Sequence, residues 1–539
     1  MPTGGPVDAR APGSPDARRA ALARLGAEDW DVLVVGGGVT GLGVALDAAT
    51  RGLRTALVER DDLASGTSSK SSKLIHGGLR YLQQGEIGLV YEALHERRRL
   101  QHNAPHLVEL LPFMIPVLTR DGVVSRRIAR ALGSALWMYD LTGGWRIGKF
   151  HRRLRARAAL ALLPTMPADR LASAYLYYDA TADDARLCVD LARTAVRHGA
   201  AVCTRAAVTA IAKDAEGRAA GATVCTAEGR EIAVRARVVV NATGVWVDDV
   251  LTQDAGRRSS TVTPAKGVHL TVPWTLVRNE VAVVIPVPGD KRSLFVIPWL
   301  RNADGTWHST YVGTTDTPYD GPREDPPCDG DDVDYVLRAL NAAVTARVER
   351  TQVTGVWSGL RPLVRDGDAP ATGRTADLSR RHRLVASASG VVTITGGKLT
   401  TYRKMAERTV DLACRRLGVR RRCATRRLVL DGADRAGALD DLAARDPRLA
   451  APLVPGLPYR AAEAVYAVTH EWALTLDDVL ARRTRARLVD RRASAAHAEP
   501  VARLLAPHLG WDEAEIGRQV AAYRASCEAE ERAGDVRAA

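Results

Sequence analysis

A short apolar run, Val32 to Val35, with glycines at positions 36, 38 and 41 behind it, constrains the fold of this chain more than any other feature. The run has the length of a buried parallel strand, and GxGxxG is the spacing of a strand turning into a helix. Gly36 permits the tight turn, Gly38 lets the backbone approach a pyrophosphate, and Gly41 lets the helix pack close to the sheet. The helix predicted over about Thr40 to Arg51, ended by Gly52, aims unpaired N–H groups and a positive dipole end at the phosphates. Thr55 to Val58 reads as a second strand. Glu59 at its end stands about 20 residues past the glycines, where an acid bonds a ribose hydroxyl. GxGxxG alone also occurs in ordinary glycine-rich turns; strand, helix, second strand and acid in register make this one a dinucleotide site. An acid at that position favours an unphosphorylated ribose, so FAD or NAD over NADP.

Segments farther along bear on the choice between these two. AVCTRAAVTAI, from Ala201 to Ile211, and the hairpin-like ATVCTAEGREIAVRARVVVNATG look like the later strands of a flavoprotein fold. They end at Asn241 to Gly244, where small residues allow close approach to a cofactor. VVTITGGKLTTYRKMAE is again strand, Gly396 and Gly397, then helix. Two helix N-termini aimed at one ligand suit a long cofactor that needs polar contacts at both its pyrophosphate and its ring.

The 539 residues suffice for two or three domains and a large core. Seven cysteines without a CxxC pair argue against iron–sulfur clusters, structural zinc and a disulfide scaffold, so no metal is expected and a reducing cytosolic setting is the default. The first 28 residues carry charges throughout and no apolar core; they are expected to be a mobile tail with one short helix, neither a secretory signal nor a membrane span. No uncharged apolar run reaches transmembrane length. The formal net charge of +14 invites a nucleic acid or an anionic membrane as partner, and no nucleic-acid motif accompanies it. Between Arg120 and Arg157, Arg120, Arg126, Arg127, Arg130, Arg146, Lys149, Arg152, Arg153, Arg155 and Arg157 stand against only Asp121 and Asp140, interleaved with Ile128, Leu132, Leu136, Trp137, Trp145 and Phe150. That mixture fits an amphipathic element lying on an anionic bilayer, and equally a solvated basic face over ordinary core contacts. Only eight lysines occur, five of them (Lys70, Lys73, Lys266, Lys398, Lys404) in segments singled out on other grounds. Where arginine is the default cation, a retained lysine hints that a compact ammonium is needed.

Coarser organisation follows from periodicity. Ile87 to Leu111 has a charged and an apolar helical face, and Asp183 to Gly199 reads as a capped amphipathic helix. Thr261 to Thr317 alternates as an antiparallel sheet, a helix follows over about Asp332 to Val348, and past Gly432 the chain is rich in helix formers.

With these segments in view, the chain resembles the FAD-dependent glycerol-3-phosphate dehydrogenases, the respiratory kind that passes electrons to quinone. The resemblance runs from about Asp31 to Tyr402 through TSSKSSKLIHGGLRYL, DDARL, NATGVWV, KGVHL, FVIPW, VGTTD, SGLRPL and GGKLTTYRKMAE, with WALTLDDVLARRTR echoing that family's helical domain. Leu360 in SGLRPL stands where valine is more typical, a conservative departure. The resemblance implies an α/β fold: a Rossmann-like FAD-binding domain interleaved with an antiparallel-sheet substrate domain over 29–425, the sheet mainly within 261–354, and a C-terminal all-helical domain over 426–539. It implies FAD as cofactor, glycerol 3-phosphate as substrate, membrane quinone as acceptor, and a place in the cytoplasm or peripherally on the cytoplasmic side of the cell membrane, with a homodimer compatible with it. An oxidase that uses oxygen, or a flavin amine or amino-acid oxidase of the same fold, is the alternative.

Carried onto this sequence, the cofactor-binding residues are Gly36, Gly38, Gly41, Glu59, Thr67, Ser68, Ser72, Lys73, His76, Gly77, Gly244, Gly396, Gly397 and Leu399. A phosphate dianion calls for clustered cations, and Arg80, Arg361, Arg374 and Lys398, with hydroxyls from Tyr81 and Thr400, are the substrate-binding candidates. His76 and His269 are candidate bases, Arg361 is an alternative that orients the oxygen, and Lys398 is expected to stabilise charge on the reduced flavin. A lone histidine on an alternating strand, such as His269, is more often a satisfied core residue than a catalyst. Arg361 before Pro362 would equally brace a turn.

Overall fold

The computed structural model describes residues 11–78, 86–118, 129–142, 148–257, 259–290, 292–365 and 382–535. The fingerprint strand, Asp29–Val35, lies inside an eight-stranded sheet ordered Arg383–Ala386, Val392–Thr395, Glu231–Asn241, Asp29–Val35, Thr55–Val58 and Ala201–Cys203, with Ala206–Lys213 and Ala219–Thr226 added through Glu231–Asn241. Val35 is paired in parallel with Val58 on one side and Asn241 on the other. That register delivers Gly36, Glu59 and Ala242 to one edge, at the strand ends where the sheet order reverses and a crevice opens. The helix Val39–Thr50 leaves this edge and is buried almost all round. It is sandwiched by the helices Asp184–Arg197 and Tyr402–Leu417, and a Cβ on Gly43 would lie 2.8 Å from the Tyr402 ring, so the second crossing needs the missing side chain.

Within residues 11–28 the expected short helix is present, but it is packed on the molecule where a mobile tail was expected. Pro15–Ala27 is a helix, capped by Ser14 Oγ accepting from Ala17 N at 3.1 Å, with proline at its first position. Leu22 and Leu25 pack with Trp30 under the sheet, and Gly13 O accepts from Trp472 N at 2.9 Å. Two leucines three apart among arginines and alanines form too short a stripe to announce this burial in the sequence.

The second sheet has ten strands, in the order Thr317–Pro318, Val262–Pro273, Trp307–Gly313, Ser293–Arg301, Ala282–Pro286, Glu109–Leu118, Leu171–Thr181 and Leu74–Ile75, with Gly355–Val364 on Val262–Pro273 and Arg152–Arg155 on Leu171–Thr181. It is therefore wider than the expected span of 261–354, taking four strands from before residue 182. Its pairings are antiparallel except for one parallel step, Ala282 opposite Phe113. The predicted helix over 87–111 is Ile87–Asn103, and Glu109 already belongs to a strand. Pro112 and Pro116 disguise that strand as a breaker-rich segment. Four residues apart, they withdraw donors from the same side and leave the other side's ladder intact.

Beyond residue 434 the chain is helical, from Arg435–Arg445 to the long Glu513–Gly534, around its own core of Val454, Val468, Leu480, Leu505 and Tyr523. Trp472 and Leu476 are buried. Asp478–Arg483 forms a π-helical turn, which brings Arg482 and Arg483 to face the cofactor half of the molecule.

Candidate active site and cofactor cleft

The cleft at the sheet edge is lined by Gly36, Gly38, Glu59, Thr67, Ser68, Gly244, Gly396, Gly397, Lys398 and Leu399 among the predicted residues, joined by Val39, Thr40, Trp246 and Pro362. Gly36 turns with φ +112°, and a Cβ there would lie 2.8 Å from the Ala242 carbonyl. Gly41 sits beneath, and a Cβ on it would overlap the Gly36 carbonyl. The helix cap, Gly38, has no side chain to give, and Ser68 reaches in from its own loop to accept from Val39 N at 3.0 Å. The Glu59 carboxylate accepts from Gly37 N at 2.6 Å and Asp61 N at 2.9 Å. Burial pushes its pKa up, and the two amide donors oppose that. An acid held at the rim, a side-chain-free helix N-terminus and the paired left-handed glycines 396 and 397 at the far end make a cradle that fits FAD.

Other expected cofactor residues, Ser72, Lys73, His76 and Gly77, are not among those lining this cleft. His76 and Thr400 are tied together, His76 N donating to Thr400 Oγ1 at 3.1 Å. Gly77 N points at Tyr139 Oη at 3.1 Å and Asp179 Oδ1 at 3.3 Å, within a buried network in which Arg97 and Tyr139 both donate to Asp179. Ser72 and Lys73 turn toward the ten-stranded sheet. Thr67 Oγ1 donates to Leu360 O at 2.6 Å, joining the two sheets at the cleft.

On the ten-stranded sheet, His269 and Arg361 stand on paired strands, Val262–Pro273 and Gly355–Val364. Gly267 and Gly313 make the room: a Cβ on Gly267 would come 2.5 Å from Arg361 Nη2, and one on Gly313 would overlap the His269 ring. Arg361 donates to Thr314 Oγ1 at 2.9 Å and pairs with Asp316 at 3.3 Å, and its neighbour Pro362 lines the cleft. His269 is 2% exposed and stacks on Trp357, ring centroids 4.7 Å apart and 9° between planes. Its Nε2 is 2.8 Å from Ser72 Oγ, and its Nδ1 is buried with no hydrogen-bond partner among the described residues. Burial first, then the Lys73 and Arg361 charges, holds its pKa well below the ordinary imidazole value. Arg80, Tyr81 and Arg374 lie outside the described residues.

Sequence reasoning missed the clasp that holds these loops. Arg485 donates to Asp183 and Asp184, and to Ser69 O at 3.2 Å; Asp184 accepts in turn from Ser71 Oγ at 2.6 Å and Lys73 Nζ at 3.2 Å. Arg483 forks onto Asp62 with both contacts at 2.7 Å, and Arg482 joins it at 2.6 Å. The acids of DDARL and the arginines of LARRTR carried the signal, as opposite charges in segments assigned no contact with one another.

The FAD dependent oxidoreductase family matches residues 31–403, and the C-terminal domain of alpha-glycerophosphate oxidase matches residues 434–516. The chain is 40% identical to glycerol-3-phosphate dehydrogenase 2 of Mycobacterium tuberculosis (strain ATCC 25618 / H37Rv), with 96% of this chain and 91% of that protein covered. It is 39% identical to the glycerol-3-phosphate dehydrogenase of Mycobacterium leprae over the same shares. Among solved structures, the glycerol-3-phosphate dehydrogenase from Bacillus halodurans complexed with FAD aligns with a TM-score of 0.74 and 28% identity, covering 97% of this chain and 98% of that one. A cradle built for FAD, a neighbouring sheet that presents a histidine and an arginine, and this likeness over nearly the whole length lead to one conclusion: the chain belongs to the FAD-dependent glycerol-3-phosphate dehydrogenases.

Proposed function

We propose that this chain oxidises sn-glycerol 3-phosphate at C2 to dihydroxyacetone phosphate and passes the electrons to a membrane quinone. The observation that carries the reading is that His269 and Arg361 stand on paired strands, with the Arg361 charge acting on the imidazole, and that the residue after Arg361, Pro362, lines the cleft together with Lys398. FAD, when bound in the cleft, supplies the acceptor for the hydride that leaves C2. Arg361 offers a planar fork and Lys398 a compact ammonium, a combination suited to a phosphate dianion, whereas the carboxylate of an amino-acid substrate needs one cation. In the tautomer whose Nε2–H donates to Ser72 Oγ, His269 Nδ1 carries the lone pair that takes the hydroxyl proton. His76, the other candidate, has its ring edge-on to Phe295 at 6.4 Å.

The test is anaerobic bleaching of the bound flavin by glycerol 3-phosphate. Arg361→Met is expected to lower kcat/KM by about 10- to 100-fold, the worth of a charged hydrogen bond. Bleaching by an amino acid and not by glycerol 3-phosphate overturns the substrate, and rapid reoxidation by oxygen but not by quinone overturns the acceptor.

A basic apolar surface supports contact with an anionic membrane. Trp137, Leu141 and Phe150 are 55%, 68% and 47% exposed, beside exposed Lys149, Arg152, Arg153 and Arg155, while Leu136 and Tyr139 of the same helix face inward. Arg120, Arg126, Arg127 and Arg146 lie outside the described residues, as does the Arg130 side chain. No helix among the described residues is long and apolar enough to cross a membrane. Flotation with anionic vesicles should weaken in Trp137→Ser/Leu141→Ser and in Arg152→Glu/Arg153→Glu; unchanged flotation in both removes this face as the anchor.

A further inference from the structure

The Ser72–Lys73 turn is gripped from two sides. Lys73 has a left-handed backbone, φ +57°, rare for a residue with a side chain, and the turn lets two consecutive side chains address one aromatic stack. Ser72 Oγ meets His269 Nε2 at 2.8 Å, and Lys73 Nζ lies 4.8 Å from the Trp357 ring centroid on which His269 stacks. Tyr311 Oη donates to Ser72 O at 2.9 Å and Trp357 Nε1 to Ser71 O at 3.2 Å, so the substrate sheet holds the turn in place. From the opposite side the buried Asp184 carboxylate holds Ser71 and Lys73, and Asp184 is itself held by Arg485.

We propose that Lys73 is a positioning residue for the reaction: its buried ammonium, tethered by Asp184 and through it by Arg485 of the C-terminal region, holds the His269 imidazole in the uncharged, proton-accepting state. The proposal rests on reading His269 as the acceptor of the substrate hydroxyl proton. The charges around the ring favour it. Lys73 approaches from one strand end and Arg361 from the paired strand, and both disfavour an imidazolium. Tyr311, whose ring centroid is 6.2 Å away, has its pKa pushed well up by burial and is uncharged. Lys266, on the same strand as His269, is committed to Asp329 and Asp332 at 2.7 and 2.5 Å. Asp316 is paired with Arg361 and Asp184 with Lys73 and Arg485, and no carboxylate among the described residues hydrogen-bonds the imidazole. Burial lowers the Lys73 pKa and the Arg485 charge adds to that, while the Asp184 carboxylate opposes both, so the hydrogen-bonded carboxylate is the group that favours the ammonium.

The experiment is the pH dependence of anaerobic flavin reduction by glycerol 3-phosphate in the FAD-loaded full-length protein. A protonated His269 cannot take the proton, so the rate falls below the His269 midpoint; removing a nearby cation raises that midpoint. Lys73→Met is expected to move the acid limb up by about one pH unit or more. Asp184→Asn, which leaves the ammonium unsupported, moves it the same way, and Lys73→Arg returns it toward wild type. A Lys73→Met protein slowed equally at every pH, with its limb unmoved, overturns the proposal and leaves Lys73 a packing residue. Should Lys73→Met not fold, Asp184→Asn against Lys73→Arg makes the same comparison. NMR titration of isotope-labelled His269, which needs no substrate, separates the two readings: a wild type that glycerol 3-phosphate does not bleach defeats the proposed reaction, while a His269 midpoint identical in wild type and variants defeats the role of Lys73.

Discussion

The cofactor cleft and the substrate side next to it are built on different principles. The adenosine end comes from residues 36 to 68, close in the chain, and works mainly through backbone: a glycine turn, a helix N-terminus and a carboxylate held by two amides. The substrate side gathers Ser72, Asp184, His269, Trp357, Arg361 and Arg485 from five widely separated stretches and works through side chains packed on one another. The first is a local solution that recurs wherever a strand turns into a helix under a phosphate. The second exists only after the ten-stranded sheet and the C-terminal region have both docked.

Breaking each end should therefore fail differently. The largest effect is expected at Gly41, where any Cβ overlaps the Gly36 carbonyl: Gly41→Val should separate helix from strand and abolish flavin content in the purified protein. Retained flavin at wild-type stoichiometry would mean that the turn relaxes cheaply. Arg485→Ala comes next. It takes the guanidinium away from the buried Asp184, which keeps Lys73 and Ser71, and from the half-buried Asp183, and denaturant unfolding should show a loss of about 1–3 kcal/mol, with flavin still bound under native conditions because the adenosine end is untouched. The smallest effect is expected at Glu59→Gln, which keeps shape and loses the charge that strengthens its hydrogen bonds. Flavin affinity measured by apoprotein titration should fall about tenfold, near 1.4 kcal/mol, with the rate of flavin reduction at saturation unchanged. A changed reduction rate would show that the two ends are coupled.

The same division explains what could be read beforehand. The strand, the glycines, the helix and Glu59 were legible because each acts through spacing over a few residues. Gly396 and Gly397 were legible for the same reason, and both line the cleft. The strand Glu109–Leu118 was hidden by its prolines, and the burial of the helix Pro15–Ala27 by its short apolar stripe. Ser72, Lys73 and Gly77 came with the resemblance as expected cofactor residues, and only the folded chain shows their contacts with His269, Asp184 and Asp179. Leu476 and Trp472 are buried, as apolar residues of that segment ordinarily are, but the arginines near them were passed over. Charge in a helical segment is usually solvated, and only the folded chain shows these guanidiniums buried against acids some 300 to 420 residues away.

By itself the sequence determined a dinucleotide site, through a spacing of strand, glycines, helix and acid, and the family, with FAD as its cofactor, through resembling segments spread over most of its length. Tertiary structure decided the roles. It left Nδ1 of His269 without a hydrogen-bond partner among the described residues, set Lys73 beside the Trp357 ring on which His269 stacks, and gave Arg485 the acids that fix the turn between them. The physical reason is that a backbone cradle is specified by local torsions, whereas the charge state of a buried imidazole is the sum of fields from groups that meet only when every layer has packed.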